Sequence, residues 1–197
     1  MSAKHQVVDG FELRSIRGRG DGGSEQWDAV QIGIDRPVVI ELLPGRTPPT
    51  VATRFLRDAR TLSRIAHPNL IAVFDVGRSS DGRVYRVLPR LPERTLADAI
   101  VEGLAPAEAS RMVGQLVSAV QHLAVEGIHL APVAAAQVYV HDGPRGIVVQ
   151  LLPAFGLPGQ GDPLVGLLSA AMSAPVRSRT VAVTHAYMER PIQTTQP

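Results

Sequence analysis

Gly18-Arg-Gly20-Asp-Gly-Gly23 places three glycines at the G-x-G-x-x-G spacing. Glycines at that spacing let backbone N–H groups close on a phosphate, so the first chemistry they suggest is nucleotide binding by Gly18, Gly20 and Gly23. The pattern is weak alone, and Asp21 would set a negative charge beside the phosphates. Other reactive groups are scarce. The 197 residues include no cysteine, which excludes a disulfide framework, a thiolate zinc site and a Cys nucleophile. Lys4 is the one lysine and Asn69 the one asparagine. His67, His122, His129 and His141 share no metal-ligand spacing. Ser110, Ser118 and Ser169 lie on helical patterns without a nucleophile elbow. Arg57, Arg60 and Arg64 form a stripe that could grip a phosphate or an acidic partner, or simply face solvent.

Composition narrows the partners. Hydrophobic residues make up 45% and charged residues 19%, a globular balance. The net charge of +2 is too small for a nucleic-acid field. No apolar run is long enough to cross a bilayer, and the first residues lack a secretory apolar core. The expectation is a cytoplasmic location, with tethering at a membrane face if the chain belongs to a larger protein.

The elements that would carry these residues follow from periodicity. Strands are predicted at 11–17, 26–34 and 37–43, with the glycines ending the first. A helix is predicted at 50–65, with Ala52, Phe55, Leu56, Ala59 and Leu62 on one face and an Arg54/Asp58 pair one turn apart. His67-Pro68-Asn69 stops it. Strands at 70–76 and 83–88 flank an Asp81-Gly82 turn. Thr95 should cap a short helix, and a long one should run from Pro106 to Glu126, closed by Gly127. A hairpin is expected at 138–140 and 147–152, a short apolar helix at 164–172, and a fraying polar tail after it. Strands, a helix, strands, then helices indicate an α+β fold, with a sheet-rich first lobe and a compressed helical second lobe. The segments are 1–10, 11–90, 91–174 and a tail at 175–197.

This order of fragments resembles bacterial serine/threonine protein kinases of the eukaryotic-like type. Residues 54–70, followed by Phe74-Asp-Val-Gly, resemble the family's C-helix and fourth strand. Arg83-Val-Tyr-Arg-Val-Leu resembles the fifth strand, Thr95-Leu-Ala-Asp-Ala-Ile the D-helix, and Phe155-Gly156 the end of an Asp-Phe-Gly motif. The resemblance implies a protein-kinase-like fold and assigns five positions. The phosphate-holding Lys falls on Glu41, and its C-helix carboxylate on Asp58. The catalytic-loop base falls on Pro132 and the loop's metal-binding Asn on Gln137; a register slid to match His129 puts Ala131 and Ala136 there instead. The second metal ligand falls on Ala154. Pro132, Ala134, Ala135 and Ala136 make that loop apolar, so it is expected to be packed. Few residues separate Phe155-Gly156 from Asp162, a compression that resembles the pseudokinase domain of mycobacterial lipid II flippases.

These substitutions lead to three expectations. The chain is no enzyme but a pseudokinase without a cofactor or metal, acting as a regulatory or scaffolding module. Its partner is a protein, of which a serine/threonine kinase or a phosphothreonine-reading domain are the candidate classes, with Thr180, Thr184, Thr194 and Thr195 as tail sites; a homodimer is the further option. The alternative is a nucleotide-binding switch or weak atypical kinase using Gly18, Gly20 and Gly23.

Overall fold

The computed structural model describes residues 8–20, 23–128, 130, 132–144 and 146–153. The elements run β1 (Phe11–Arg19), β2 (Glu25–Gln31), β3 (Arg36–Leu42), α1 (Pro49–Leu62), β4 (Asp75–Arg78) and β5 (Val84–Pro89). They continue as α2 (Leu96–Glu102), α3 (Pro106–Val125), a 3-10 turn at Ala135–Gln137, β6 (Val138–Gly143) and β7 (Gly146–Leu151). The first five strands form one antiparallel sheet in the order β1-β2-β3-β5-β4, and β6-β7 form a separate hairpin.

The sheet's centre is its most apolar part. Val38, Val39, Ile40, Leu42, Val84, Val87 and Leu88 are all buried on β3 and β5. Continuous apolar runs of this length fit strands covered on both faces. α1 covers one face with Ala52, Phe55, Ala59 and Leu62. Fully burying one such large side chain contributes about 1.5–3 kcal/mol, so this face sets the helix's rotation. In α3 the buried side chains are Met112, Leu116, Ala119 and Leu123. They join Leu96, Leu104, Val138, Val149 and Leu151 in the largest apolar cluster. The Arg54–Asp58 pair forms at 3.3 Å, and Thr95 caps α2 through a reciprocal capping box with Asp98.

Four expectations need correction. β1 continues through Gly18 to Arg19, because its pairing with β2 shifts register between Leu13 and Ser15 and again between Ile16 and Gly18, which absorbs the glycine. β2 ends at Gln31, and residues 32–35 turn the chain with Gly33 at φ 93° and Asp35 at φ 49°. The strand expected at 70–76 begins at Asp75. Ile71 N–H donates to Leu151 O instead, and Leu151 N–H to Asn69 O, so this stretch is recruited by β7. The loop expected to be packed is open at Pro132, Ala134 and Ala136, while Val133 is its buried member. The expectations for 154–197, including Ala154, the short helix and the tail threonines, lie outside the described residues.

Candidate functional site

The space beneath the glycine turn is organised by one charged pair. Glu41 on β3 and Arg86 on β5 are direct register partners, so their side chains leave the sheet on the same face. Arg86 Nε and Nη2 approach Glu41 Oε2 at 2.7 and 2.5 Å. Glu41 is 6% exposed and Arg86 2%. An ion pair so far from water holds only if its remaining groups are satisfied. Ser24 Oγ–H donates to Glu41 Oε1 at 2.7 Å, and Arg86 Nη1–H donates to Pro153 O at 2.9 Å. The Arg86 guanidinium also lies 5.5 Å from the ring centroid of Phe55 on α1, a cation–π distance. One side chain thus links β3, β5, α1 and the segment leaving β7.

The glycine turn rests on this pair. Gly20 N–H donates to Ser24 O at 2.9 Å. A Cβ on Gly20 would sit 2.5 Å from Ser24 Oγ and 3.0 Å from Glu41 Oε1, so a side chain there would push the Ser24 hydroxyl from its place on Glu41. Gly23 has φ 79°, which also favours glycine, whereas a Cβ on Gly18 would meet open space. Gly20 and Gly23 therefore have a steric reason to be glycine, independent of any phosphate.

A second arginine is bound to main-chain carbonyls. Arg17 Nη2–H donates to the carbonyl oxygens of Leu91 and Pro92, at 3.3 and 2.9 Å, and Arg17 Nη1 pairs with Asp28 at 3.5 Å. It ties β1 to the stretch between β5 and α2. Beneath lies Tyr139, buried on β6. Burial holds its phenol above the ordinary 10.0, with Glu41 adding to that shift and the Arg17 and Arg86 charges working against it.

The other assigned positions lie apart from this pair. Asp58 is buried but turned along its own helix, with Oδ2 on Arg54 Nε at 3.3 Å and Oδ1 on Arg57 Nη2 at 2.9 Å. Pro132 is exposed. The Gln137 side chain folds back to accept the N–H of Ala134 at 2.8 Å. The structure thus joins Glu41 to the glycine turn, and not to Asp58, Pro132 or Gln137. Arg86 was missed by the sequence reading. Its signal was a lone charge within Val84-Tyr-Arg-Val-Leu88, all buried. Among the described residues, no group of three or more His, Asp or Glu side chains could hold a metal ion, and no helix is long and apolar enough to cross a membrane.

Comparisons with known proteins agree with the architecture. No family model matches the chain. It is 36% identical over 83 residues to the DNA damage-responsive serine/threonine-protein kinase RqkA of Deinococcus radiodurans, covering 41% of this chain and 12% of that protein. It is 30% identical over 141 residues to the probable serine/threonine-protein kinase PknB of Corynebacterium glutamicum, covering 68% of this chain and 22% of the relative. The match to the serine/threonine-protein kinase PrkC of Bacillus subtilis is 32% over 107 residues, 52% of this chain and 16% of that one. The chain spans less than a quarter of the length of these relatives. Among solved structures, the PknI kinase domain of Mycobacterium tuberculosis superposes with a TM-score of 0.67 at 17% identity, over 81% of this chain and 65% of that one. That likeness establishes a protein-kinase-like fold.

The relatives overturn one expectation. Reading the chain as no enzyme rested on five single positions, of which Ala154 lies outside the described residues. The proteins it matches are named serine/threonine-protein kinases. Kinase homology, and not the absence of catalysis, is what these comparisons support.

Proposed function

We propose that this chain, a homologue of bacterial serine/threonine protein kinases with their fold, is a regulatory or scaffolding module that acts by binding another protein. One observation carries this reading. The polar groups facing the interior beneath the glycine turn are engaged with one another: Glu41 with Arg86 and Ser24, and Arg86 with Pro153 O. Arg17 is likewise spent on the carbonyls of Leu91 and Pro92. A fold whose interior groups are internally matched offers its outer faces as the means of recognition. Ile32, Ile34 and Phe74 are large apolar side chains left exposed on the sheet half. The partner class is a serine/threonine kinase, a phosphothreonine-reading domain or a second copy of the chain.

The test is binding between the purified chain and purified kinase domains, read by interferometry, with the kinase's rate on a peptide measured in both conditions. A saturable complex that changes the rate supports the reading. Absence of any complex, with a monomer by light scattering at all concentrations, refutes it.

A second reading draws on the relatives. As a homologue of kinases the chain would act as a nucleotide-binding switch or weak atypical kinase, with Gly18, Gly20 and Gly23 over the nucleotide. Saturable binding of ATP with Mg²⁺ to the unaltered chain, lost when Gly18 is replaced by Val, would favour this reading over the first. Gly18 suits the test because a side chain there meets open space.

A further inference from the structure

Residues 71–74 alternate between inside and outside. Ile71 and Val73 are buried, while Ala72 and Phe74 face out, Phe74 with 42% of its surface exposed. A two-residue alternation sets Ala72 and Phe74 on one face, a methyl group beside a ring. Next to the ring lies a hollow of about 500 Å³, with Ile71 as its buried lining and Ile65, Pro68 and Pro89 as further apolar members. A lone exposed phenylalanine means little. A concave apolar lining around it is how proteins seat a side chain of another molecule.

Beside the hollow stands a cation that is held in place. The Arg36 guanidinium lies 4.3 Å from the centroid of the Phe74 ring. Its Nε–H and Nη2–H both donate to Gln31 Oε1, at 3.1 and 2.7 Å. That acceptor is neutral, and among the described residues no ion pair joins Arg36 to a carboxylate. The Nη1 side remains to take a carboxylate end-on. Asp75, next after Phe74, turns Oδ1 to the N–H of Val76 at 2.7 Å. Arg64 precedes Ile65 and Arg90 follows Pro89, both exposed, and among the described residues no carboxylate lines the hollow.

We infer that this hollow is the docking site for an acidic peptide segment of a partner protein, seated by an apolar anchor. A bulky aliphatic or aromatic side chain of the partner fills the space lined by Pro68, Ile71 and Phe74, and an Asp or Glu beside it pairs with Arg36. Charge selects the partner: a basic segment would meet Arg36, Arg64 and Arg90 with no carboxylate in the lining to offset them. An acidic one meets a guanidinium already oriented by Gln31 and Phe74, so little is lost in ordering it. The inference rests on the reading of the chain as a protein-binding module and names its binding face.

The test is a random-peptide display library selected on the full 197-residue chain, with the Phe74→Ala chain as counter-target. Selected peptides are expected to combine a bulky apolar residue with Asp or Glu. The tightest of them, labelled for fluorescence anisotropy, should bind saturably. It should lose at least tenfold in affinity with Phe74→Ala and with Arg36→Gln, and equally when its own carboxylates become Lys. If Phe74→Ala does not fold, Ala72→Trp takes its place, since an indole on that exposed position fills the hollow and should block the peptide. Selection of no peptide that distinguishes the two chains, selection of basic ones, or binding indifferent to Arg36→Gln overturns the inference. So does a dimer by light scattering that Phe74→Ala makes monomeric, which would give the hollow to a second copy. Amide resonances of residues 154–197 that move with Phe74→Ala alone would give it to the chain's own end and overturn the inference as well. A kinase-domain complex that forms while no peptide is selected sinks the hollow and spares the wider reading. Peptide docking without any such complex does the reverse, so the two fail separately.

Discussion

Two clusters of buried polar groups differ in their chemistry. Under the glycine turn the groups are ionic: a carboxylate and a guanidinium, bound to each other and to neighbours, Ser24 among them for Glu41 and Pro153 O for Arg86. Where the helical half meets β7 they are neutral. Asn69 Nδ2–H donates to Gln115 Oε1 at 2.7 Å and to Val149 O at 2.8 Å. Gln115 Oε1 accepts again from Val149 N–H, and Gln115 Nε2–H donates to Ile147 O at 3.0 Å. His67 Nδ1 accepts the Asn69 N–H at 3.1 Å, and the His67 ring stacks on His122 at 5.2 Å. An amide can lose one bond and remain tolerable indoors, whereas a buried ion that loses its counterion cannot. The first site therefore behaves as a unit that is present or broken, and the second as a joint that loosens by degrees.

The largest test of that contrast is Arg86→Met. Glu41 would be left buried and unpaired, and the expected loss is about 3–5 kcal/mol in urea unfolding. The double variant Glu41→Met/Arg86→Met should recover most of it, since apolar replacements of a whole buried pair are often near neutral. A double variant as unstable as the single would show that the pair is not a unit. Next comes Asn69→Ala, which leaves Gln115 and Val149 short of one donor; about 1–3 kcal/mol is expected from the same measurement. A loss equal to that of Arg86→Met would erase the distinction between the two sites. Thr95→Ala lies outside both and serves as the reference. Its capping box with Asp98 predicts a loss of about 1 kcal/mol.

The smallest effect separates the sites by pH. Burial, and then the neighbouring His122, hold His67 below its ordinary value of 6.5. The folded state therefore takes up its proton later than the unfolded chain does. Stability is complete above 6.5 and is lost as pH falls through 6.5 toward the lower folded value. Protonation also removes Nδ1 as the acceptor for Asn69 N–H. Because His67 is only partly covered, the change should be slight. Unfolding midpoints compared at pH 7.5 and 5.5 should show it, and His67→Gln should flatten that part of the profile. A drop that survives His67→Gln would assign the titration elsewhere.

What the sequence made legible was local. The α1 stripe, the Arg54–Asp58 pair, the Thr95 cap and the Pro106 start of α3 each depend on residues within a turn or two of one another. The kinase-like order of elements was legible because fragments kept their spacing. Glu41 could be placed by its strand, but its partner could not. Arg86 lies 45 positions away and meets it only through the β3–β5 register. The same limit explains the stretch after Asn69. Its residues have strand character, yet whether they pair with β5 or with β7 is decided by tertiary neighbours. Leu70 and Ile71 go to Leu151, and the ladder with β5 starts at Asp75. Burial of Asp58 was hidden for a related reason: the stripe was read from apolar residues, and this carboxylate lies inside it with two arginines as cover.

The bridge between Leu70 and Leu151 has a consequence for how the chain is made. It closes a loop of some eighty residues, and such contacts form late because the closure entropy precedes their reward. On a ribosome adding about 5–20 residues per second, β5 emerges several seconds before β7 exists. Through that interval the five-stranded sheet has its own hydrogen-bond partners, while Asn69 waits for Val149 and Arg86 for Pro153. The nascent chain thus passes through a stage with its sheet assembled and one guanidinium incompletely satisfied.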